Sequence, residues 1–177
     1  MSSIVGLATI ASMKRVSGSA LSAETDREAL GRQHTGREMR GASMDFDSGT
    51  KTAVEEHWRA SERGDIDAEH AIYALDAILD YPQSGERFRG RQAISAQRGG
   101  HPANRHFDVL RITGSGDLWI SECIITYDGE PSYSVSIMEF GDRHVMHETQ
   151  YFASGFGSPE WRSALADAMP GREITRA

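Results

Sequence analysis

The most constraining feature of this chain is an apolar stretch that runs into a proline, followed by a tight turn and a short return. Residues 75–81 favour a strand, and Pro82 ends it because proline has no N–H to donate to a sheet ladder. Ser84-Gly85 is typical of a turn, and residues 86–89 predict a second strand. The end of the first strand is therefore expected to place polar side chains on the wall of a pocket that the rest of the chain encloses.

Composition narrows the class of protein. A length of 177 residues predicts one domain, and a mean hydropathy of −0.49 is typical of a globular protein. No apolar run approaches the roughly 18 residues of a membrane span, so we expect no membrane partner. A net charge of −7 argues against a nucleic-acid partner. Cys123 is the only cysteine, which excludes an intramolecular disulfide and favours a cytoplasmic location.

The first 43 residues differ in composition from the rest. They carry six basic and four acidic residues, a net of +2, so the remainder carries −9. They contain no aromatic residue, which predicts a disordered or non-native extension over 1–43 before a domain at 44–177. A gene start assigned too early, with the true start at Met44, is one alternative. A targeting peptide is another, although Lys14-Arg15 follows the apolar run 4–11 instead of preceding it.

Three helices are predicted in the first half of the domain. Buried-type residues recur at i, i+3, i+4 and i+7 over residues 50–63 and predict a first helix; they are Val54, His57, Trp58 and Ser61. Asp67 is the expected cap of a short second helix. Residues 91–98 predict a third, ended by two glycines.

The second half predicts a meander of strands and a last helix. Strands are expected over 104–113, 118–127, 132–140 and 143–152, with a strong hairpin turn at Asp128-Gly129. Ser158 and Pro159 are expected to open a C-terminal helix with an apolar stripe of Trp161, Leu165 and Met169. The fold class is therefore α+β, with helices packed on a curved antiparallel sheet that forms a cone around one pocket.

Four segments carry a resemblance to a known family: VEEHWRASERGDID (54–67), AILDYPQSGERFRGR (77–91), HETQYFAS (147–154) and PEWR (159–162). In these sequence segments and in the order of its predicted elements, the chain resembles the SnoaL-like branch of the nuclear transport factor 2-like (NTF2-like) superfamily. The resemblance implies the cone fold and a homodimer. The superfamily includes ketosteroid isomerases, polyketide cyclases, dehydratases, epoxide hydrolases and modules without enzymatic activity, so fold alone does not assign chemistry.

The isomerase pattern is incomplete in this chain. The resemblance places His57 where the isomerases have a tyrosine that donates to the substrate oxyanion, and Ser136 where they have a second donor. The aspartate base that precedes the proline is replaced by Tyr81. Tyrosine, with a reference pKa of about 10, is a poor base at neutral pH. On this strand either Tyr81 or its neighbour Asp80 faces the pocket.

The cyclase pattern is also altered. The resemblance puts Glu148 at the histidine position and Gln150 at the aspartate position of the last strand. An amide cannot accept a proton, but Glu148 shares a strand face with Gln150, and burial in an apolar cavity would raise its pKa. The opposite orientation stays open, because a register error of one residue would turn both side chains outward.

These considerations define a candidate site and three functions. The candidate catalytic residues are Glu148 and His57, with a core role as the alternative for His57. The expected pocket residues are Trp58, Tyr81, Gln83, Ser136, Met138, Gln150 and Phe152. No cofactor or metal is expected. The functions are a cofactor-free isomerase, cyclase or dehydratase acting on a small apolar molecule, a ligand-binding module without chemistry, and a dimeric interaction module.

Overall fold

The computed structural model describes residues 46–170, which lie within one compact unit. The predictions made for residues 1–43 fall outside the described part of the chain. No helix within 46–170 is both long enough and apolar enough to cross a membrane.

The three predicted helices are present. The first, α1, is helical over the described residues 46–63, and its predicted face is buried: Val54, His57, Trp58 and Ser61. The second, α2, spans Ile66–His70, and the third, α3, spans Arg91–Gly99. Asp65, not Asp67, caps α2, since its carboxylate accepts from the Ala68 N–H at 3.1 Å. Gly64, at a φ of +68°, reverses the chain directly after α1, where the sequence predicted that the helix ends.

The described part of the chain contains six strands, which form one sheet. They are β1 (Tyr73–Tyr81), β2 (Glu86–Arg89), β3 (Arg105–Ser115), β4 (Leu118–Tyr127), β5 (Glu130–Gly141) and β6 (His144–Ser154). Their order is β2-β1-β6-β5-β4-β3. The β1–β2 hairpin confirms the turn predicted after Pro82. The loop predicted at 114–117 is shorter, because β3 continues to Ser115.

The prediction of an all-antiparallel sheet is wrong at one pairing. β6 lies beside β1 and runs parallel to it, so the sheet is mixed. After β2 the chain passes through α3 to the far edge, where β3 begins, and the meander β3–β6 then returns across the sheet. The last strand therefore meets the first in the same direction, a non-local pairing that no turn signal encodes.

The side-chain alternation of the strands decides which residues face the helices. On β5 the buried residues include Ser134, Ser136 and Met138, and on β6 they include Glu148 and Gln150. On β1, Tyr81 faces inward with them, whereas the Asp80 carboxylate pairs on the outer face with Arg87 and His147. The concave face of the sheet therefore carries the polar side chains whose orientation the sequence did not decide.

The predicted C-terminal helix is wrong. Residues Glu160–Leu165 form a short 3₁₀ helix, and the intended apolar stripe is uncovered: Trp161 is 77%, Leu165 85% and Met169 67% exposed. Isolated helices shorter than about 12–15 residues are marginal in water, and nothing within residues 46–170 covers the stripe of this segment.

Candidate functional site

A buried ion pair between α3 and β6 organises the concave face. Arg98 Nη2 donates to Glu148 Oε2 at 2.9 Å and to Gln150 Oε1 at 3.1 Å. Arg98 Nη1 donates to the Tyr73 hydroxyl at 2.7 Å. Gln150 in turn donates to the Ser134 hydroxyl at 3.0 Å. These bonds connect α3 with three strands and fix the guanidinium in one position.

Glu148 is fully buried and its acceptor capacity is largely used. It accepts from Arg98, from the Tyr73 hydroxyl and, at 2.7 Å, from Ser136. Burial by itself would raise the pKa of Glu148, but the Arg98 charge and the hydrogen bonds outweigh it, so the pKa lies below its ordinary value. The expectation of a raised pKa is therefore wrong, because the surroundings are ionic and not apolar.

His57 is a neutral, buried histidine. Its Nδ1 donates to the backbone carbonyl of Glu69 at 2.6 Å, which leaves Nε2 as an acceptor for Arg98 Nη1 at 3.4 Å. Burial, followed by the nearby Arg98 charge, lowers the pKa of His57 from 6.5 to about 4. The side chain joins α1, α2 and α3.

This histidine should make stability depend on pH. Because its pKa is lower in the folded state, the unfolded chain binds the extra proton between pH 6.5 and about 4, and stability falls as pH falls through that window. The loss should amount to about 3 kcal/mol from His57. Urea unfolding of the wild type and of His57→Gln from pH 8 to pH 4 measures it. The variant should show a flatter profile, and equal slopes would contradict the assignment.

A small cavity lies between the helices and the concave face, with a volume of about 40 Å³. Its wall is partly aromatic and partly polar, made by Trp58, Glu69, Tyr81, Gln97, Arg98, His101, Arg105, Phe107, Ile125, Tyr127, Gln150 and Phe152. A single water needs about 10–15 Å³ of cavity volume, so the cavity has room for a few waters without any movement of its side chains. A larger ligand requires displacement of side chains that line the wall.

Glu69 is the carboxylate on this wall, and it is loosely partnered. Its side chain is only 3% exposed. Oε1 lies 4.0 Å from Arg98 Nη1 and 3.9 Å from His70 Nε2, both beyond hydrogen-bond distance. Within residues 46–170 no side chain donates a hydrogen bond to it. The cavity therefore contains a carboxylate whose acceptor capacity is available, in contrast to Glu148.

Four of the nine predicted site residues line the cavity: Trp58, Tyr81, Gln150 and Phe152. Glu148, His57, Ser136 and Met138 lie beneath the wall, in the network or the core. Gln83 is exposed in the turn after β1, where its amide exchanges two hydrogen bonds with the backbone of Phe152. The functional roles proposed for these residues stay predictions.

Sequence reasoning missed Glu69 and Arg98. Arg98 had a usable signal, because it follows Ile94 by four residues on α3 and shares its buried face. Glu69 had none, since α2 is only five residues long and too short to show a period.

Comparison with known families agrees with this architecture. The SnoaL-like domain profile matches residues 54–154, more than half of the chain. The chain belongs to the SnoaL-like domain family. Its matched region begins in α1 and ends with β6, so it includes every element that builds the cavity.

Solved structures place this SnoaL-like protein in the NTF2-like fold. An NTF2-like protein of unknown function from Burkholderia xenovorans LB400 is 51% identical, with a TM-score of 0.66, over 69% of this chain and 96% of that one. A Kribbella flavida protein provisionally assigned as a ketosteroid isomerase is 21% identical, with a TM-score of 0.66, over 73% and 96%. A Mycobacterium tuberculosis epoxide hydrolase is 18% identical, with a TM-score of 0.51, over 60% and 84%. The last two show likeness of fold alone. No curated protein matches the chain.

Proposed function

We propose that this SnoaL-like protein carries out acid–base chemistry on a small ligand in its cone cavity without a cofactor, with Glu69 as the proton acceptor. The observation that carries the proposal is the contrast between the two buried carboxylates. Glu148 receives hydrogen bonds from three side chains, whereas Glu69 lies on the cavity wall, and its nearest cationic or imidazole nitrogens within residues 46–170 are at 3.9 and 4.0 Å. A base must be within reach of the proton it takes, and of these two carboxylates only Glu69 lies on the cavity wall.

Tyr81 is the proposed donor to the oxygen on which charge develops. Its hydroxyl accepts from Gln97 Nε2 at 2.8 Å, which leaves its own hydrogen free to point elsewhere. Its ring packs edge-on against Phe88 and Phe152, which holds it against the cavity wall. A fixed donor of this kind stabilises an enolate or alkoxide as it forms. The reaction class is proton transfer next to a carbonyl or hydroxyl group, as in isomerisation, cyclisation or dehydration.

The wall indicates the ligand class. Trp58, Phe107, Tyr127 and Phe152 offer flat apolar surfaces, and Arg105 and His101 add polar groups to the wall. A small planar molecule with one oxygen function fits this surface. Binding pockets for drug-sized ligands measure roughly 300–1,000 Å³, so a ligand of steroid size would demand a large rearrangement.

A ligand-binding module without chemistry is the second candidate. It is favoured by the extent to which the polar groups at and beneath the cavity wall satisfy one another: Arg98, Glu148 and Gln150 all have partners. A thermal-shift screen of small planar carbonyl compounds, followed by NMR of each stabilising compound for turnover, separates the two. Turnover that Glu69→Gln abolishes while the thermal shift persists supports the enzyme. Binding with no turnover by the wild type supports the module.

Tyr81→Phe should lower turnover about 100-fold while leaving the fold intact, because it removes one donor to the developing charge and keeps the ring packing. The expected change is in kcat, measured on the compound found in the screen. Tyr151→Phe is a matched control, since Tyr151 faces outward and is 42% exposed. Equal losses in both variants, or no loss in Tyr81→Phe, would remove Tyr81 from the mechanism.

A further inference from the structure

Two arginines line the cavity, and they differ in their partners. Arg98 lies 2.9 Å from the Glu148 carboxylate, so its charge is neutralised inside the fold. Arg105, the first residue of β3, forms no ion pair with a carboxylate among residues 46–170. Its guanidinium instead lies over the Phe107 ring, 5.6 Å from the centroid. The cavity wall therefore carries an arginine without a countercharge in the described part of the chain.

A second N–H donor on this wall lies close to Arg105. His101 also lines the cavity, and its ring packs on Tyr127, the cross-strand partner of Arg105, with a centroid distance of 4.7 Å. The Ala103 N–H donates to His101 Nδ1 at 3.2 Å, so the ring hydrogen is on Nε2. That N–H has no partner within the described residues. His101 and Arg105 thus both lie beside Tyr127, and a carboxylate is a strong acceptor for both.

We propose that the ligand of this cavity is a planar carboxylic acid, and that Arg105 and His101 bind its carboxylate. The inference rests on the proposed function for the place of the ligand, and it adds the charge of the ligand, which an aromatic wall does not determine. A carboxylate accepts two parallel N–H bonds from a guanidinium, which a neutral carbonyl group does not. Because the chain as a whole has a net charge of −7, an acid gains affinity only where donors without a countercharge meet it.

The ring of such an acid needs more room than the cavity offers, and Phe107 is the side chain that can provide it. Trp58 and Phe107 line both the cavity of about 40 Å³ and a groove of about 590 Å³ between α1 and β3, so they separate the two. Trp58 is fixed, because it is 3% exposed and its Nε1 donates to the Ser121 hydroxyl at 2.8 Å. Phe107 is only half-buried and lies on β3, the edge strand of the sheet.

Binding of the acid would itself release Phe107. A carboxylate attracts a guanidinium more strongly than the face of an aromatic ring does, so the ion pair draws Arg105 away from Phe107. The backbone of β3 stays in place, because Glu62 on α1 accepts from the Phe107 N–H at 2.7 Å. Rotation of one side chain then joins the cavity with the groove, which Val109 and Ile112 also line. The joined space falls within the range of roughly 300–1,000 Å³ that is typical of small-molecule sites.

Isothermal titration calorimetry of the full chain with trans-cinnamate and with its uncharged amide, cinnamamide, tests this. We expect cinnamate to bind at least about 10-fold more tightly, because only the acid makes charge-assisted hydrogen bonds. Arg105→Gln should remove most of that preference and leave the affinity for cinnamamide unchanged. Arg111→Gln is the matched control on the same strand and should keep the preference, since Arg111 is 69% exposed and already pairs with Glu122. Circular dichroism verifies that each variant is folded.

Three results overturn the proposal: equal affinities for the acid and the amide, no binding of either, or equal losses in Arg105→Gln and Arg111→Gln. Glu69→Gln separates this inference from the proposed function, because that variant should keep the preference for cinnamate. A preference for the acid in a wild type that turns over no compound would refute the acid–base chemistry and leave the ligand class standing. Turnover of neutral compounds that Glu69→Gln abolishes, without a preference for the acid, would refute the ligand class alone.

Discussion

Arg98→Met should destabilise the protein by about 3–5 kcal/mol, because it leaves the fully buried Glu148 carboxylate without its countercharge. Arg98 is 7% exposed, and the substitution also removes the donor to Gln150, to the Tyr73 hydroxyl and to His57 Nε2. Urea unfolding at pH 7 measures the change in free energy. Arg111→Met is a matched control: Arg111 also pairs with a carboxylate, Glu122, at 2.8 Å, but it is 69% exposed and should lose less than about 1 kcal/mol.

The double variant Arg98→Met/Glu148→Met sharpens this prediction. Removal of both charges eliminates the unpaired buried ion, so the double variant should be more stable than Arg98→Met alone. If the double variant were less stable than the single one by the full cost of Glu148→Met, the two residues would act independently. The buried pair would then not organise the site.

Glu69→Gln should leave stability unchanged or raise it by up to about 1 kcal/mol, and it should reduce any turnover by 100-fold or more. His70 explains the stability. Its Nδ1 donates to the Ile66 carbonyl at 2.8 Å, and burial lowers its pKa, so near pH 7 its Nε2 is an acceptor. That atom is buried, has no partner within residues 46–170, and faces Glu69 Oε1 at 3.9 Å. A glutamine amide supplies the donor that two facing acceptors lack.

The expected gain in stability and the expected loss of activity have one cause, because a reactive group that is kept without strong hydrogen-bond partners lowers the stability of the fold. Differential scanning calorimetry of the ligand-free protein gives the first quantity and the NMR assay the second. A Glu69→Gln protein that is several kcal/mol less stable would show that Glu69 is instead a structural partner of Arg98.

Local signals predicted most of the fold. The proline and the turn after residue 81 define the β1–β2 hairpin, and Asp128-Gly129 defines the turn between β4 and β5, since each depends on residues adjacent in the chain. The parallel pairing of β1 with β6 could not be predicted in this way. It joins strands more than sixty residues apart, and only the assembled sheet brings them together. The predicted C-terminal helix did not form because nothing within residues 46–170 covers its apolar stripe.

The candidate site was also predicted only in part, because signals local in the sequence do not show which side chains lie opposite one another in the folded chain. Strand alternation correctly grouped Glu148 with Gln150 on one face, but it carried no information about what would stand opposite. Arg98 stands there, on α3, and its charge reverses the direction in which the pKa of Glu148 moves. In the proposed function Glu69 takes the role that we expected of Glu148, and it lies on α2, a helix too short to be recognised by its period.

The central claim is that Glu148 stabilises the fold through its ion pair, whereas Glu69 does not. It is tested most directly by the unfolding free energies of Glu148→Gln and Glu69→Gln, measured side by side in urea at pH 7. Glu148→Gln breaks the buried ion pair and should lose about 3 kcal/mol or more. Glu69→Gln should be as stable as the wild type, or more so. Equal losses in the two variants, or a larger loss in Glu69→Gln, would contradict the account.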